Sequence, residues 1–571
     1  MARVETCDIV VIGGGSAAFE AAVAAREAGA QRVVMLEKAP EPEYGGNARY
    51  SGTGFRFVHA GAAEIRRFIP EVDDTQFATM AIPPYSADEF MADLDRMTQG
   101  RMNRELAQTL VEQSNAAVHW MRETGIKWEP LKEHAKVDGK RYFERGIAIH
   151  VAGGGPGQLT QWRQIAERLG IEIRFESPVC GVLGDLRRVE GVVVSGPEGR
   201  YDLRAKAVIA CAGGFQANPE MRARYLAGNT DMMKVRGTKH DTGEVLRMLL
   251  DLGARPAGHW QSGHMSPIDA NAPDFETPQH EDGRGNTQSR YDYPYGITVN
   301  ALGLRFFDEG EAQHSYTYAK TGRAVLGQPG ATAHQIYDQK GIRCFRYPHH
   351  PATFVEADTI AELATKAGLE PKVLVHTVEE FNRAAPDQPQ FDPRRPDGKA
   401  AKGLAVPKSN WATRIDEPPY RAYPVTCGIT FTFGGVEINR NAQVMSTIDQ
   451  PIKGLFASGD IVGLFFHNYP SFTGQTRNAV FGRLAGRSAV AENWALSLLP
   501  TIPVILRCPR ITRRSFAVCS SVSGPRRMIG QPKSTIADLG TSICRSRVDP
   551  RSVAVALRGS PGSRGRGRAS G

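Results

Sequence analysis

The stretch CDIVVIGGGSAAFEAA (residues 7–22) leaves few folds open. An apolar run short enough for one buried strand stops at three glycines and passes directly into an alanine-rich, helix-forming pattern. Gly29 supplies a stop for that helix, and RVVMLEK (32–38) reads as a second buried strand ending on Glu37. Strand, GxGxxA (Gly13, Gly15, Ala18), helix, strand and acidic residue fall within about 30 residues, the spacing of a dinucleotide-binding βαβ unit. Gly13 permits the tight turn and Gly15 lets the backbone approach a pyrophosphate, with Gly14, Ser16 and Ala17 completing the turn. Ala18 lets the helix pack close to the sheet while its N-terminal amides and dipole face the phosphates. Glu37, followed by Lys38, suits a ribose diol and repels a 2′-phosphate. The turn alone is shared by proteins that hold FAD, NAD and NADP.

Downstream, helical stretches are expected around 87–124, and a glycine-rich loop at 150–157 feeds another helix. IEIRFESPVCGVL, RVEGVVVSG and RAKAVIACAGGF read as successive strands, the last running into Ala212 and Gly213. PIKGLFASGDIVG (451–463) is a further strand, ending at Gly459 and Asp460 before a glycine-containing helix start near Gly474. The domains expected are a dinucleotide-binding segment over 1–260, an inserted capping domain over 261–415, rich in His, Tyr and Pro, and a returning segment over 416–495. Residues 496–571 carry 14 Lys and Arg against 2 Asp, which leaves 56 basic and 59 acidic residues in the rest. The formal charge of +9 therefore belongs to the tail, whose Arg, Ser, Gly and Pro read as a disordered basic extension with no nucleic-acid role.

No run approaches 18 apolar residues, so no membrane-spanning helix is expected, and no secretory leader is signalled. The eight cysteines lack paired spacing, which fits reduced thiols and a cytoplasmic protein, at most peripheral at the inner face of the membrane. No metal-ligand set stands out, and G-x-S-x-G is absent from any strand-to-helix turn.

EYGGNARYSG (43–52), ACAGGF, GLFASGDIVG and FGRLAG, in this order, resemble the fumarate reductase/succinate dehydrogenase flavoprotein superfamily over residues 5–493. The resemblance implies an α/β protein with a Rossmann-type FAD-binding domain and an inserted α+β cap. In that family Gly45, Gly46 and Asn47, with Ser51 and Gly52, would pass by the flavin, and Gly459-Asp460 would contact the chain linking its two halves. GGNARYSGTGFRFVH, YPYGITVNALGLRFFDEGE and FFHNYPSFTGQ are most similar to FAD-dependent tricarballylate dehydrogenases. That similarity implies oxidation of a saturated di- or tricarboxylic acid, tricarballylate to cis-aconitate, by hydride transfer to flavin N5.

Several positions depart from the family pattern. Asn47 stands where membrane-bound members link FAD to a histidine, so FAD is expected to be noncovalent. Tyr318 falls where fumarate reductases carry an arginine proton donor, Phe431 replaces a histidine, and Ser471 replaces a substrate-clamping arginine. Tyr318 or Lys320 is therefore expected to move the proton, Lys320 lowering the phenol pKa only if the segment is not helical. His264, Arg56, Arg305 and His467 are candidate substrate contacts, Arg305 having an alternative as an ion pair with Asp308 or Glu309. His349 and His350 read as surface residues. A separate acceptor, a membrane iron–sulfur or haem protein or a quinone, is expected to take the electrons. The alternatives left open are a fumarate reductase-like enzyme, a 3-ketosteroid desaturase-like enzyme and an electron-carrying subunit.

Overall fold

A computed structural model describes residues 3–226, 228–275, 288–345, 353–386, 392 and 395–495, with side chains to 492 in the last helix. The tail from 496, and His349 and His350, lie outside the described residues. Met1–Thr501 form one compact unit.

The opening stretch folds as its pattern dictates. β1 (Arg3–Ile12) leads through Gly13–Gly15 into α1 (Ser16–Glu27) and then β2 (Val33–Leu36), and Ile9–Ile12 and all of β2 are buried. Parallel neighbours covered on both faces need continuous apolar runs, which is why these strands were readable. Gly199–Ala210 pairs parallel with β1, Glu172–Arg174 with β2, and Pro451–Ala457 with the C-terminal half of Gly199–Ala210. The N-terminal half of Gly199–Ala210 also pairs antiparallel with Val189–Gly196. The strand ends that converge on the first turn thus come from residues about 200 and 450 positions away. Gly13, at φ +118°, could carry no side chain: a Cβ there would lie 2.4 Å from the Cys211 carbonyl oxygen.

The C-terminal helix Thr473–Ala495 packs along α1. A Cβ on Gly486 would stand 2.3 Å from the Ala21 carbonyl oxygen. An unconstrained helix prefers Ala to Gly by about 1 kcal/mol. Here the contact reverses that preference, and Gly486→Ala is expected to cost about 1–3 kcal/mol in denaturant unfolding of the FAD-loaded protein. A gain in stability would mean that the two helices are not in this close contact.

A second, six-stranded sheet carries the cap. Its long central strand is Tyr420–Thr432, flanked by Gly263–Asp269, Thr332–Tyr337 and Val355–Ala357 in antiparallel pairing and by Lys234–Val235 in parallel. Tyr420–Thr432, which follows the expected boundary at 415, is thus the central strand of this sheet. Hydrogen-bond partners up to about 190 residues away in sequence hold it there, which no local pattern announces. Behind it, Ile297, Val299, Ile336, Leu363, Leu374 and Phe381 form a core separate from that under β1. The helix His314–Leu326 packs on Gly263–Asp269 and brings Tyr318 and Ala319 into the main core. Cys7, Cys180, Cys211, Cys344 and Cys427 are free thiols.

Candidate active site

A cavity of about 670 Å³ runs from the first turn to the inner face of the cap sheet. Gly13, Gly14, Gly15, Ser16, Ala17, Glu37, Lys38, Gly46, Asn47, Ser51, Gly52, Ala212, Gly213, Gly459, Asp460 and Gly474 all line it. Gly45 alone of the expected cofactor residues does not. It turns the loop at φ +114° against Leu159.

These residues fit an anionic dinucleotide on their own chemistry. The N-terminal ends of α1 and of the helix Thr473–Ala495 both open onto the cavity, so unpaired backbone N–H groups and two positive dipole ends face it. A Cβ on Gly474 would meet nothing within 4 Å, so the backbone is bare there. Glu37 is buried against the cavity at the end of β2, where its Oε1 accepts from the Ala39 N–H at 2.8 Å. Burial raises its pKa from the usual carboxylate value, and hydroxyl donors would offset that desolvation. Lys38 pairs with Glu244 at 3.0 Å. Asn47 donates to the Thr430 carbonyl and accepts from the Thr238 N–H at 3.0 Å, which ties the glycine loop to the cap sheet. Ser51 accepts from Gln475, and Asp460 pairs with buried Arg477.

At the cap end four side chains from four segments form a continuous hydrogen-bonded chain. The Tyr318 and Tyr469 hydroxyls are 2.9 Å apart, Tyr469 is 3.3 Å from His264 Nδ1, and Arg236 Nη1 is 3.5 Å from His264 Nε2. All four line the cavity and all are buried. Burial, and then the Arg236 charge, hold the His264 pKa well below its usual value, so the imidazole is neutral. Arginine only donates, so Nε2 accepts and the pattern assigns the imidazole proton to Nδ1. That proton points to Tyr469, whose own proton then points to Tyr318, and the Tyr318 O–H is left for the cavity. Burial raises the Tyr318 pKa well above its usual value, and the Arg236 charge opposes the rise.

Of the six expected catalytic and substrate-binding residues, His264 and Tyr318 are brought together, their rings 4.7 Å apart. The other four do not reach the cavity. Lys320 lies on the same helix as Tyr318, where residues two apart point away from each other, and it pairs with Glu311 at 2.6 Å on the surface. It therefore does not act on the Tyr318 phenol. Arg56 is wholly buried, bonded to the Ser471 and Arg145 carbonyls and to Asp93, so its charge is already answered. Arg305 forms its ion pair with Glu309, the structural alternative left open on sequence. His467 turns at φ +57° beside His259, whose ring centroid is 4.7 Å away, and its N–H donates to His259 Nδ1. Arg236 and Tyr469 went unrecognised. Tyr469 lies in the FFHNYP segment already singled out, but Arg236 has no local signature in KVRGTKHD.

Residues 8–475 match the model of a family described as FAD binding domain. A relative named "Probable fumarate reductase Ifc3", from Shewanella frigidimarina (strain NCIMB 400), is 29% identical over 495 residues, which cover 85% of this chain and 75% of the relative. The open conformation of a flavocytochrome c3 fumarate reductase superposes with a TM-score of 0.63 at 27% identity, covering 86% of this chain and 79% of that one. A 3-ketosteroid delta1-dehydrogenase from Sterolibacterium denitrificans shares the fold, with a TM-score of 0.65 at 20% identity over 85% of this chain and 100% of that one.

Proposed function

Because this chain belongs to the FAD binding domain family and is an FAD-dependent oxidoreductase of the fumarate reductase/succinate dehydrogenase superfamily, we propose that it interconverts the saturated and α,β-unsaturated forms of a carboxylic acid. The pair tricarballylate/cis-aconitate is the specific candidate that its motifs suggest. The observation that carries this reading is the chain Arg236–His264–Tyr469–Tyr318, which puts a buried cation and a directed hydroxyl at one end of the cavity. FAD, held noncovalently, supplies hydride exchange at its N5. Asn47, with both ends of its amide engaged by the protein, keeps the glycine loop in place.

The chain's own part is proton transfer and orientation. Tyr318 gives its proton to the carbon next to the carboxylate during reduction and takes it back during oxidation. Tyr469 and His264 fix the direction of the hydroxyl, and the Arg236 charge stabilises the phenolate that forms when the proton leaves. The electrons are exchanged with a separate protein or a quinone. Among the described residues no helix is long and apolar enough to cross a membrane.

A pH signature follows from the direction of the shifts. Oxidation needs Tyr318 deprotonated, and its pKa lies well above the usual value of about 10, so oxidative turnover rises with pH through the alkaline range without a plateau below about 10. Reduction needs the proton in place and stays flat over the same range. Neutral His264 gives no inflection near its usual pKa in either direction. A plateau in the oxidative profile near neutrality would assign the proton to another group.

The reading is tested by reoxidising the reduced enzyme anaerobically with cis-aconitate, fumarate and a 1,4-dien-3-one steroid in D₂O. Reoxidation by an acid, with one solvent deuteron at the carbon next to a carboxylate, is expected. Reoxidation by the steroid alone would favour the second reading, a ketosteroid desaturase, to which the Tyr318–Tyr469 pair also lends support.

A further inference from the structure

We infer that Arg236 binds the carboxylate of the substrate, and that the substrate is a monocarboxylic acid whose remaining body is apolar. The inference rests on the acid reading above and departs from its tricarballylate candidate, which carries two carboxylates more than this end of the cavity provides for.

Arg236 is 4% exposed and lines the cavity. Its Nε donates to Ser289 Oγ at 2.9 Å, and its Nη1 reaches Thr430 Oγ1 and, at 3.5 Å, His264 Nε2. Every one of these partners is neutral. Its guanidinium carbon lies 5.7 Å from the Tyr291 ring centroid, a weak compensation for a buried charge. Among the described residues Nη2 has no hydrogen-bond partner, and no carboxylate forms an ion pair with Arg236. A cation removed from water without a counter-ion is costly, and the unpaired Nη2 N–H groups of a charged guanidinium in a cavity are complementary to a carboxylate oxygen.

The other Lys and Arg side chains around the cavity are already committed or lie elsewhere along it. Lys38 pairs with Glu244, and Arg477 with Asp460. Arg247 is exposed on the helix Glu244–Leu252, beside the partner of Lys38. One unanswered cation at the cap end provides for one carboxylate there, because a second would be buried without a partner. The rest of that end is aromatic, with Phe431, Phe472, Tyr469 and Tyr318 lining the cavity. The His264 ring touches both the guanidinium and Tyr318, so an acid held by Arg236 lays its carbon chain past the Tyr318 hydroxyl.

The test uses oxidised, FAD-loaded protein and reads binding rather than turnover, from the ligand-induced change in the flavin band and by calorimetry. The probes are cinnamate, cinnamamide and tricarballylate. Cinnamate is expected to bind at least about 10-fold more tightly than its uncharged amide, and Arg236→Gln to reduce that difference to about 2-fold or less with the flavin retained. Arg236→Lys keeps the charge without the fork, and a partial loss of selectivity is expected. Full selectivity in flavin-loaded Arg236→Gln, or in Arg236→Lys should the glutamine variant not load flavin, would overturn the assignment of Arg236. Tighter binding of tricarballylate than of cinnamate by the wild type would overturn the monocarboxylate class but leave the acid reading intact. Binding of none of the acids, with reduction of the flavin by a 3-ketosteroid, would overturn both.

Discussion

Tyr318→Phe is expected to lower turnover by about 10²–10⁴-fold in both directions while the flavin stays bound. The phenylalanine ring retains the contacts with His264 and Tyr291, whose ring centroids lie 4.7 and 4.9 Å from that of Tyr318. Only the hydroxyl at the end of the hydrogen-bonded chain is lost. The Tyr469 oxygen then loses its neighbour at 2.9 Å, but it keeps His264, so the cavity wall stays in place. Substrate binding, read from the flavin band, should change far less than turnover, because the carboxylate is held at the other end of the chain. Lys320→Ala is the paired control: it removes a surface ion pair and should leave turnover essentially unchanged. Turnover by Tyr318→Phe within a few-fold of the wild type would remove Tyr318 from proton transfer.

Gly13→Val is expected to yield protein without the visible flavin absorbance. The position needs φ near +118°, which a β-branched residue avoids, and its Cβ would lie 2.4 Å from the Cys211 carbonyl oxygen. Neither strand end can yield easily, because β1 and Gly199–Ala210 are hydrogen-bonded in register up to Ile12 and Ala210. Relief must come from the Gly13–Gly15 turn, which carries the N–H groups that face the phosphates. Far-UV circular dichroism separates loss of FAD from loss of fold. A folded variant with full flavin content would show that this turn does not hold the cofactor.

The contrast between these two residues explains what was readable from sequence. The first turn is a local feature whose strand, glycines, helix and acidic residue lie within one βαβ unit, so its spacing sufficed. The strand Pro451–Ala457 was equally legible, because a buried parallel strand is a short apolar run bounded by breakers. The pairing of Tyr420–Thr432 in the second sheet was not legible, because its partners are distant in sequence. The surroundings of Lys320 were not legible because they depend on whether residues 314–326 are helical, as they are. Arg56 looked available because Asp93 and Glu144, which answer its charge, are 37 and 88 residues further on. Arg236 was invisible for the converse reason. What marks it is that no carboxylate among the described residues pairs with its buried guanidinium, a property of three-dimensional surroundings that no motif encodes.

The measurement that bears most directly on the central claim is an anaerobic visible spectrum of the purified FAD-loaded protein, recorded before and after separate additions of tricarballylate, succinate, 3-phenylpropionate and a 3-ketosteroid. The account predicts bleaching of the oxidised flavin band by a saturated carboxylic acid and no change with the steroid. Bleaching by the steroid with none of the acids active would contradict it and move the chemistry of the Tyr318–Tyr469 pair to a ketone.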